Sequence, residues 1–332
     1  MKTGKIKLTE LPEDFIASGA KPSFFKLGFS FRQVMNMDLK EPLPFEKLAE
    51  RMEEHHVIIP DKAEAVRFLR KTGYYRLTGY LLQYRVSENN SDLQPVSFHD
   101  LLAIYNFDSE IRNFLRKYIE IAEIYYRTQI SHWFSLMRCS EPPHDQHYDE
   151  RDFYLKKSYR EVMQKYNRDK KEYYGDTLVM QHHQQQYGGR EPLWVITEIL
   201  SFSNLSKLYK SMHDEEQIKI AKEVGARNDV LANHLHCITI LRNKCAHAAR
   251  LYNTKMAKPA KLPKRFLKSY PDIKNNSLFA YMVMLLKRMP DEETKEDFIR
   301  EFTDIAERNK TAVDLRLIGM PENYKKVLTA NK

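Results

Sequence analysis

The sequence predicts an all-α protein: a helical bundle, preceded by a small N-terminal helical domain and followed by a C-terminal helical extension. Three observations carry this. Only 10 of the 332 residues are glycine, while Lys, Glu and Leu are abundant, a balance that favours helices over a turn-rich sandwich. Apolar residues recur at spacings of three and four through most of the chain. Segment starts carry Ser, Asp and Pro, and segment stops carry Gly. The expected divisions are residues 1–90 for the N-terminal domain, 91–254 for the bundle with an insertion at about 139–190, and 255–332 for a basic linker and the last helices.

Residues 1–40 are mixed and include the basic aromatic piece KPSFFKLGFSFRQ. Two short helices follow. PFEKLAERMEEHH places Phe45, Leu48 and Met52 on one face. PDKAEAVRFLRKTG opens with Pro60–Asp61 and stops at Gly73. YYRLTGYLLQYR, residues 74–85, is dense in Tyr and Arg and reads as a strand or a packed turn. One or two long core helices then run to about residue 138. They start with Ser97 and Asp100 in a capping box and keep Leu101, Ile104, Ile111, Leu115, Ile119 and Ala122 in helical register. Residues 139–189 hold Pro142–Pro143 and a charged aromatic run, and predict an inserted, exposed helix with flexible ends. EPLWVITEILSFSNLSKLYKSM resumes the apolar period, EEQIKIAKEVG stops at Gly225, and Asp229 is placed to cap a helix from about 230 to 247. Residues 255–268 form an extended basic segment, KMAKPAKLPKRFLK, with no acid. NSLFAYMVMLLKRM and DEETKEDFIREFTDIAERN supply two more helices.

The net charge is +9 and the pI about 9.1, which suits a polyanionic partner through phosphate neutralisation and counterion release. With 12% aromatic residues, stacking on bases is available too. Three cysteines form no even framework, which points to a reducing compartment. MKTGKIKLTELPEDF has no apolar signal core, and no run of 18 apolar residues occurs. A cytoplasmic protein that makes no membrane contact is the expectation.

The densest chemistry lies in LRNKCAHAARLYN, residues 241–253. Arg242 and His247 form an R-x4-H pair. Chance predicts about 0.8 such pairs here and three occur: Arg51/His56, Arg127/His132 and Arg242/His247. At 100° per residue, Leu231, Leu235, Ile238 and Cys245 make an apolar stripe that includes Arg242, where a guanidinium needs an anionic neighbour. His236, Ile240, Asn243 and His247 make a second face, so Asn243 sits one turn below His247 and can orient its ring. Arg242 lies about 140° from His247. It must swing toward that ring or meet a His from another copy of the helix. His can transfer protons near neutral pH, Arg can hold a phosphate by a fork of donors, and Asn can position either. These groups suffice to cleave RNA without metal or cofactor, because the 2′-OH is an internal nucleophile that DNA lacks. Two plainer readings compete. One is a helix end whose Arg and His tend carbonyls. The other is a metal cluster of His234, His236, Cys237, Cys245 and His247, but the spacing fits no zinc pattern and the side chains point to several faces. Arg51/His56 sits among Glu50, Glu53 and Glu54, which reads as a solvated face. In EIYYRTQISHW, Glu123 and Arg127 are a favourable i,i+4 pair, so Glu123, Arg127 and His132 read as a structural or supporting group.

LRNKCAHAARLYN resembles the signature of the Abi (abortive infection, AbiD/AbiF-like) proteins, a branch of the HEPN ribonucleases. RFLRKTGYYRLTGYLLQYR (67–85), IYNFDSEIRNFLRKYIEIAEIYYRT (104–128) and PLWVITEILSFSNLSKLYKSM (192–212) agree with it in order, so the resemblance covers about residues 43–255. It implies a HEPN-like bundle built from about 97–138 and 191–250. It also implies a metal-independent endoribonuclease that leaves a 2′,3′-cyclic phosphate, with Arg242, Asn243 and His247 as the catalytic set. Two motif copies meet in the family, which implies a homodimer. Relatives act in phage defence or as toxins held by a small noncoding RNA. Relatives often carry a second His directly after the motif His; here that position is Ala248, while Arg250, Leu251, Tyr252 and Asn253 are kept. Tyr74, Tyr75, Arg76, Arg250, Lys258, Lys261, Lys264 and Arg265 are the candidates for RNA contact, by stacking and phosphate pairing. The competing function is a non-catalytic RNA-binding or interaction module on the same fold.

Overall fold

The computed structural model describes residues 40–84 and 94–331. The basic aromatic piece at 21–33, most of the 1–40 stretch and Arg85 lie outside the described residues. The class is the expected one: 14 helices and almost no sheet among the described residues.

The chain opens with α1 (Phe45–Glu54), which buries Ala49 and Met52, and α2 (Lys62–Thr72). The start chemistry of α2 is as read: Asp61 accepts from the Glu64 amide at 3.1 Å, and Gly73 ends the helix at φ 81°. The YYRLTGYLLQYR stretch is neither strand nor plain turn. It forms α3 (Tyr74–Thr78) and a 3-10 turn over Gly79–Tyr84, because Leu77, Tyr80 and Leu81 fall three and four apart and share one buried side. Two strands of two residues, β1 (Val57–Ile58) and β2 (Val96–Ser97), pair in parallel. They are too short to leave a period in the sequence.

The spine is α4 (Phe98–Arg138), one helix of 41 residues and about 60 Å long at 1.5 Å per residue. Ser97 caps it by accepting from the His99 amide at 3.2 Å. The insertion carries two helices, α5 (Lys156–Asp169) and α6 (Leu178–Tyr187), joined by a wider π turn at Lys170–Tyr174. It is docked rather than loose. Phe153 stacks between Phe134 at 5.2 Å and Tyr159 at 4.0 Å, and Tyr159, Val162 and Tyr166 are buried along α5. Those apolar positions keep a helical period that the surrounding charges hide.

Next come α7 (Leu193–Ile199), α8 (Phe202–Ser211), α9 (Asp214–Glu223) and α10 (Asn228–Ala246). Asp229 does not cap α10; it lies in the first turn and pairs with Arg227 at 2.9 Å and Lys261 at 2.8 Å. The basic segment is extended to Pro263 and then turns into α11 (Lys264–Ser269). The tail holds α12 (Leu278–Leu286), α13 (Glu292–Asn309) and α14 (Tyr324–Thr329), one helix more than the apolar period predicts. All nine residues of α12 are buried. Phe298 of α13 meets Phe114 and Tyr118 of α4, each at 4.8 Å. One continuous apolar core runs from Ala49 to Leu328. No helix of the described residues is long and apolar enough to cross a membrane.

Candidate active site

Helix α10 delivers the LRNKCAHAARLYN motif at its C-terminus. Its closed side is built by Leu231, Leu235, Ile238, Leu241 and Cys245, all buried. Asn233 and His234 extend that side toward the basic segment. Asn233 donates to the Pro259 carbonyl at 3.1 Å and accepts from the Lys261 amide at 2.7 Å. His234 Nε2 donates to the Lys261 carbonyl at 2.9 Å. Burial, aided by Arg288, pushes His234 down to about 4, so the ring is neutral at pH 7. Burial likewise raises the Cys245 thiol to about 12, too high for a reactive thiolate. The open side is the other predicted face: His236, Asn243 and His247 are exposed and Ile240 is half-buried. Among the described residues, the side chains of Asn243 and His247 make no hydrogen bond. The proposed metal set is split between these two sides. Among the described residues no group of three or more His, Cys, Asp or Glu could hold a metal ion.

Helix α10 stops at a Schellman turn. The Ala249 amide donates to the Lys244 carbonyl at 2.8 Å and the Ala248 amide to the Cys245 carbonyl at 3.2 Å. Ala248 takes the left-handed position, φ 49°, where glycine is the usual residue. His247 is therefore the last residue before the chain reverses.

That reversal is clamped from three directions. Buried Asp108 of α4 accepts from the Leu251 amide at 3.1 Å and the Tyr252 amide at 2.7 Å. Tyr80 donates to the same carboxylate at 2.5 Å, and Arg112 forms a buried ion pair with it. Arginines hold the carbonyls around His247: Arg116 on Cys245 at 2.5 Å, Arg76 on Ala248 at 2.5 Å and Arg112 on Ala249 at 3.3 Å. Arg250 reaches back to the Gly79 carbonyl. The backbone on either side of His247 is fixed while its ring is free.

Arg242 finds the anionic neighbour that its place on the stripe requires. Its Nε lies 3.7 Å from Glu123 Oε1, with the guanidinium side chain 44% exposed and the carboxylate 17%. Burial raises the Glu123 pKa above the ordinary carboxylate value, while Arg242 and Arg127 oppose the rise. Arg127 itself turns away from Glu123 and donates to the Thr197 and Leu200 carbonyls, closing the C-terminus of α7. His132 is exposed, edge-on to Trp133 at 5.0 Å.

The candidates for RNA contact fall in three places. Arg76 and Arg250 stand at the clamped turn, while Tyr74 and Tyr75 line a cavity with Leu48, Arg51 and His55. Tyr75 is exposed and packs edge-on against half-buried Tyr74 at 5.6 Å, and both arginines already hold carbonyls. Lys258, Lys261, Lys264 and Arg265 are exposed along the basic segment, on the closed side of α10. Met256, Ala260, Leu262 and Phe266 alternate with them and are buried. Sequence reasoning passed over Asp108, Arg112, Arg116 and Tyr80. The available signal was a carboxylate and an arginine four apart on the same stripe as Ile104, Ile111 and Leu115.

Residues 67–253, more than half of the chain, match the family described as Abi-like protein, and the chain belongs to that family. The matched stretch begins in α2 and ends in the clamped turn, so it contains every residue of the clamp. No curated protein and no solved structure matches the chain.

Proposed function

We propose that this Abi-like protein is a metal-independent endoribonuclease of the HEPN type, acting in abortive infection or as a toxin and held in check by a bound small noncoding RNA. The observation that carries this reading is the contrast at the end of α10: the backbone around His247 is clamped, yet among the described residues the Asn243 and His247 side chains are unbonded, on an open face. Such a fixed, reachable imidazole suits proton transfer.

In the proposed reaction, His247 removes the proton from the ribose 2′-OH. The 2′-oxygen attacks the adjacent phosphorus, the bond to the 5′-oxygen breaks, and the leaving oxygen takes a proton from a second imidazole. The products are a 2′,3′-cyclic phosphate and a 5′-OH. One chain supplies one motif His. The second comes from another copy of α10 across a dimer joined on the open face. Arg242, oriented by Glu123, balances the charge on the pentacoordinate phosphate. Asn243, one turn below on the same open face, turns to the His247 ring when RNA is bound. The net charge of +9 supports an RNA partner.

The test is to incubate RNA with the full chain in EDTA and identify the new ends. Cyclic phosphate and 5′-OH ends are expected, with activity that tracks the dimer in sedimentation. Cleavage that vanishes in EDTA would replace this mechanism with a metal-dependent one. No cleavage under either condition would favour a non-catalytic RNA-binding module.

A further inference from the structure

A cavity of about 460 Å³ lies well outside the α10 motif, between the inserted segment and the start of α7. Its walls are aromatic and imidazole-rich. Trp194, 57% exposed, and Tyr187, 58% exposed, stand at the opening. His144, His182 and His183 line it as well. His183 is the unusual member. It is only 9% exposed, and among the described residues neither ring nitrogen has a hydrogen-bond partner. An imidazole left so is costly to the fold, and buried polar groups without partners call for a specific reason. Tyr187 lies 5.4 Å from His183 at 64°. Both rings line the cavity.

The electrostatics narrow the ligand. Glu191 also lines the cavity, but its carboxylate is consumed by Tyr148 at 2.9 Å, Tyr166 at 2.9 Å and Lys170. Asp145 is neutralised by Arg190 at the rim. Among the described residues the cavity therefore offers no free carboxylate to attract a cation. It offers flat aromatic faces, an imidazole that can both donate and accept, and an arginine with donors to spare. The volume falls in the range of small-ligand sites.

We propose that this cavity binds a nucleobase together with its attached phosphate. Trp194 stacks on the base, His183 reads one donor–acceptor edge, and Arg190 meets the phosphate. The base arrives on a free nucleotide or unstacked from single-stranded RNA. The inserted segment thereby gains a role in recognition that does not depend on whether the protein cleaves RNA.

Calorimetric titration decides it. The wild-type chain is titrated with AMP, GMP, CMP and UMP, and the His247→Ala chain with a short single-stranded RNA that it cannot consume. Saturable binding is expected from at least one probe. It should weaken at least about tenfold in Trp194→Ala, the scale of one lost base stack, and in His183→Leu. His183→Leu should also melt at the same temperature as wild type or higher, because it removes an unpartnered polar group; that keeps lost binding separate from lost folding. Mononucleotide binding identifies a free nucleotide as sufficient, and binding of RNA alone identifies the base within a strand. Absence of binding by every probe, or binding indifferent to both substitutions, overturns the proposal.

Discussion

The two sides of α10 carry the same residue types to opposite ends. On the closed side, His234 and Asn233 are buried, bonded to the basic segment, and His234 is held neutral. On the open side, Asn243 and His247 belong to the same helix but are exposed, and unbonded among the described residues. The closed His is a structural part whose proton is lost to burial. The open His keeps its ring for other chemistry while its backbone is clamped by α4. Residue type does not distinguish the two; what each side of the helix faces does.

That contrast can be broken at the clamp first. Asp108→Asn leaves the Arg112 guanidinium buried without its counter-charge, and should cost about 3–5 kcal/mol in chemical denaturation, with cleavage falling alongside. A loss below about 1 kcal/mol would mean that the clamp is not what fixes the turn. The closed side predicts a pH effect of slightly smaller size. The unfolded chain takes up a proton on His234 near the ordinary value of 6.5, and the folded chain only near 4. Between those values unfolding binds a proton, so stability falls as pH drops through that window, by roughly 3 kcal/mol. His234→Gln should flatten that part of the stability–pH curve; an unchanged slope would refute the assignment. Smaller again is Asn233→Ala, which strands the Lys261 amide and Pro259 carbonyl. It should destabilise by about 1–3 kcal/mol while the folded fraction cleaves RNA at the wild-type rate. The smallest effect has the opposite sign. Ala248→Gly relieves a left-handed alanine and should stabilise by up to about 1 kcal/mol in a thermal melt.

Much of this was legible from residues alone. The helical class, the cap of α2 at Asp61 and the open face of His236, Ile240, Asn243 and His247 follow from spacing and polarity. The wheel also required an anion near Arg242, though not which one; Glu123 reads as the neighbour of Arg127 until α4 and α10 are packed together. The clamp was not legible. Arg116 binds a carbonyl 129 residues away and Arg250 one 171 residues away. A carbonyl is the same at every position and leaves no mark in a sequence. The docking of the insertion is hidden for a related reason: its charges are visible in the residues, whereas the stacking of Phe153 between Phe134 and Tyr159 depends on tertiary contact.

Spacing alone ranked Arg127/His132 equal to Arg242/His247. The packing separates them, since Arg127 closes α7 and His132 stands beside Trp133 with no clamp beneath it. The most direct measurement of the central claim is therefore the rate of RNA cleavage in EDTA by His247→Ala and His132→Ala side by side. The account predicts a loss of about 10²–10⁴-fold for His247→Ala and a near wild-type rate for His132→Ala. Cleavage that survives His247→Ala, or falls equally in both, would contradict it.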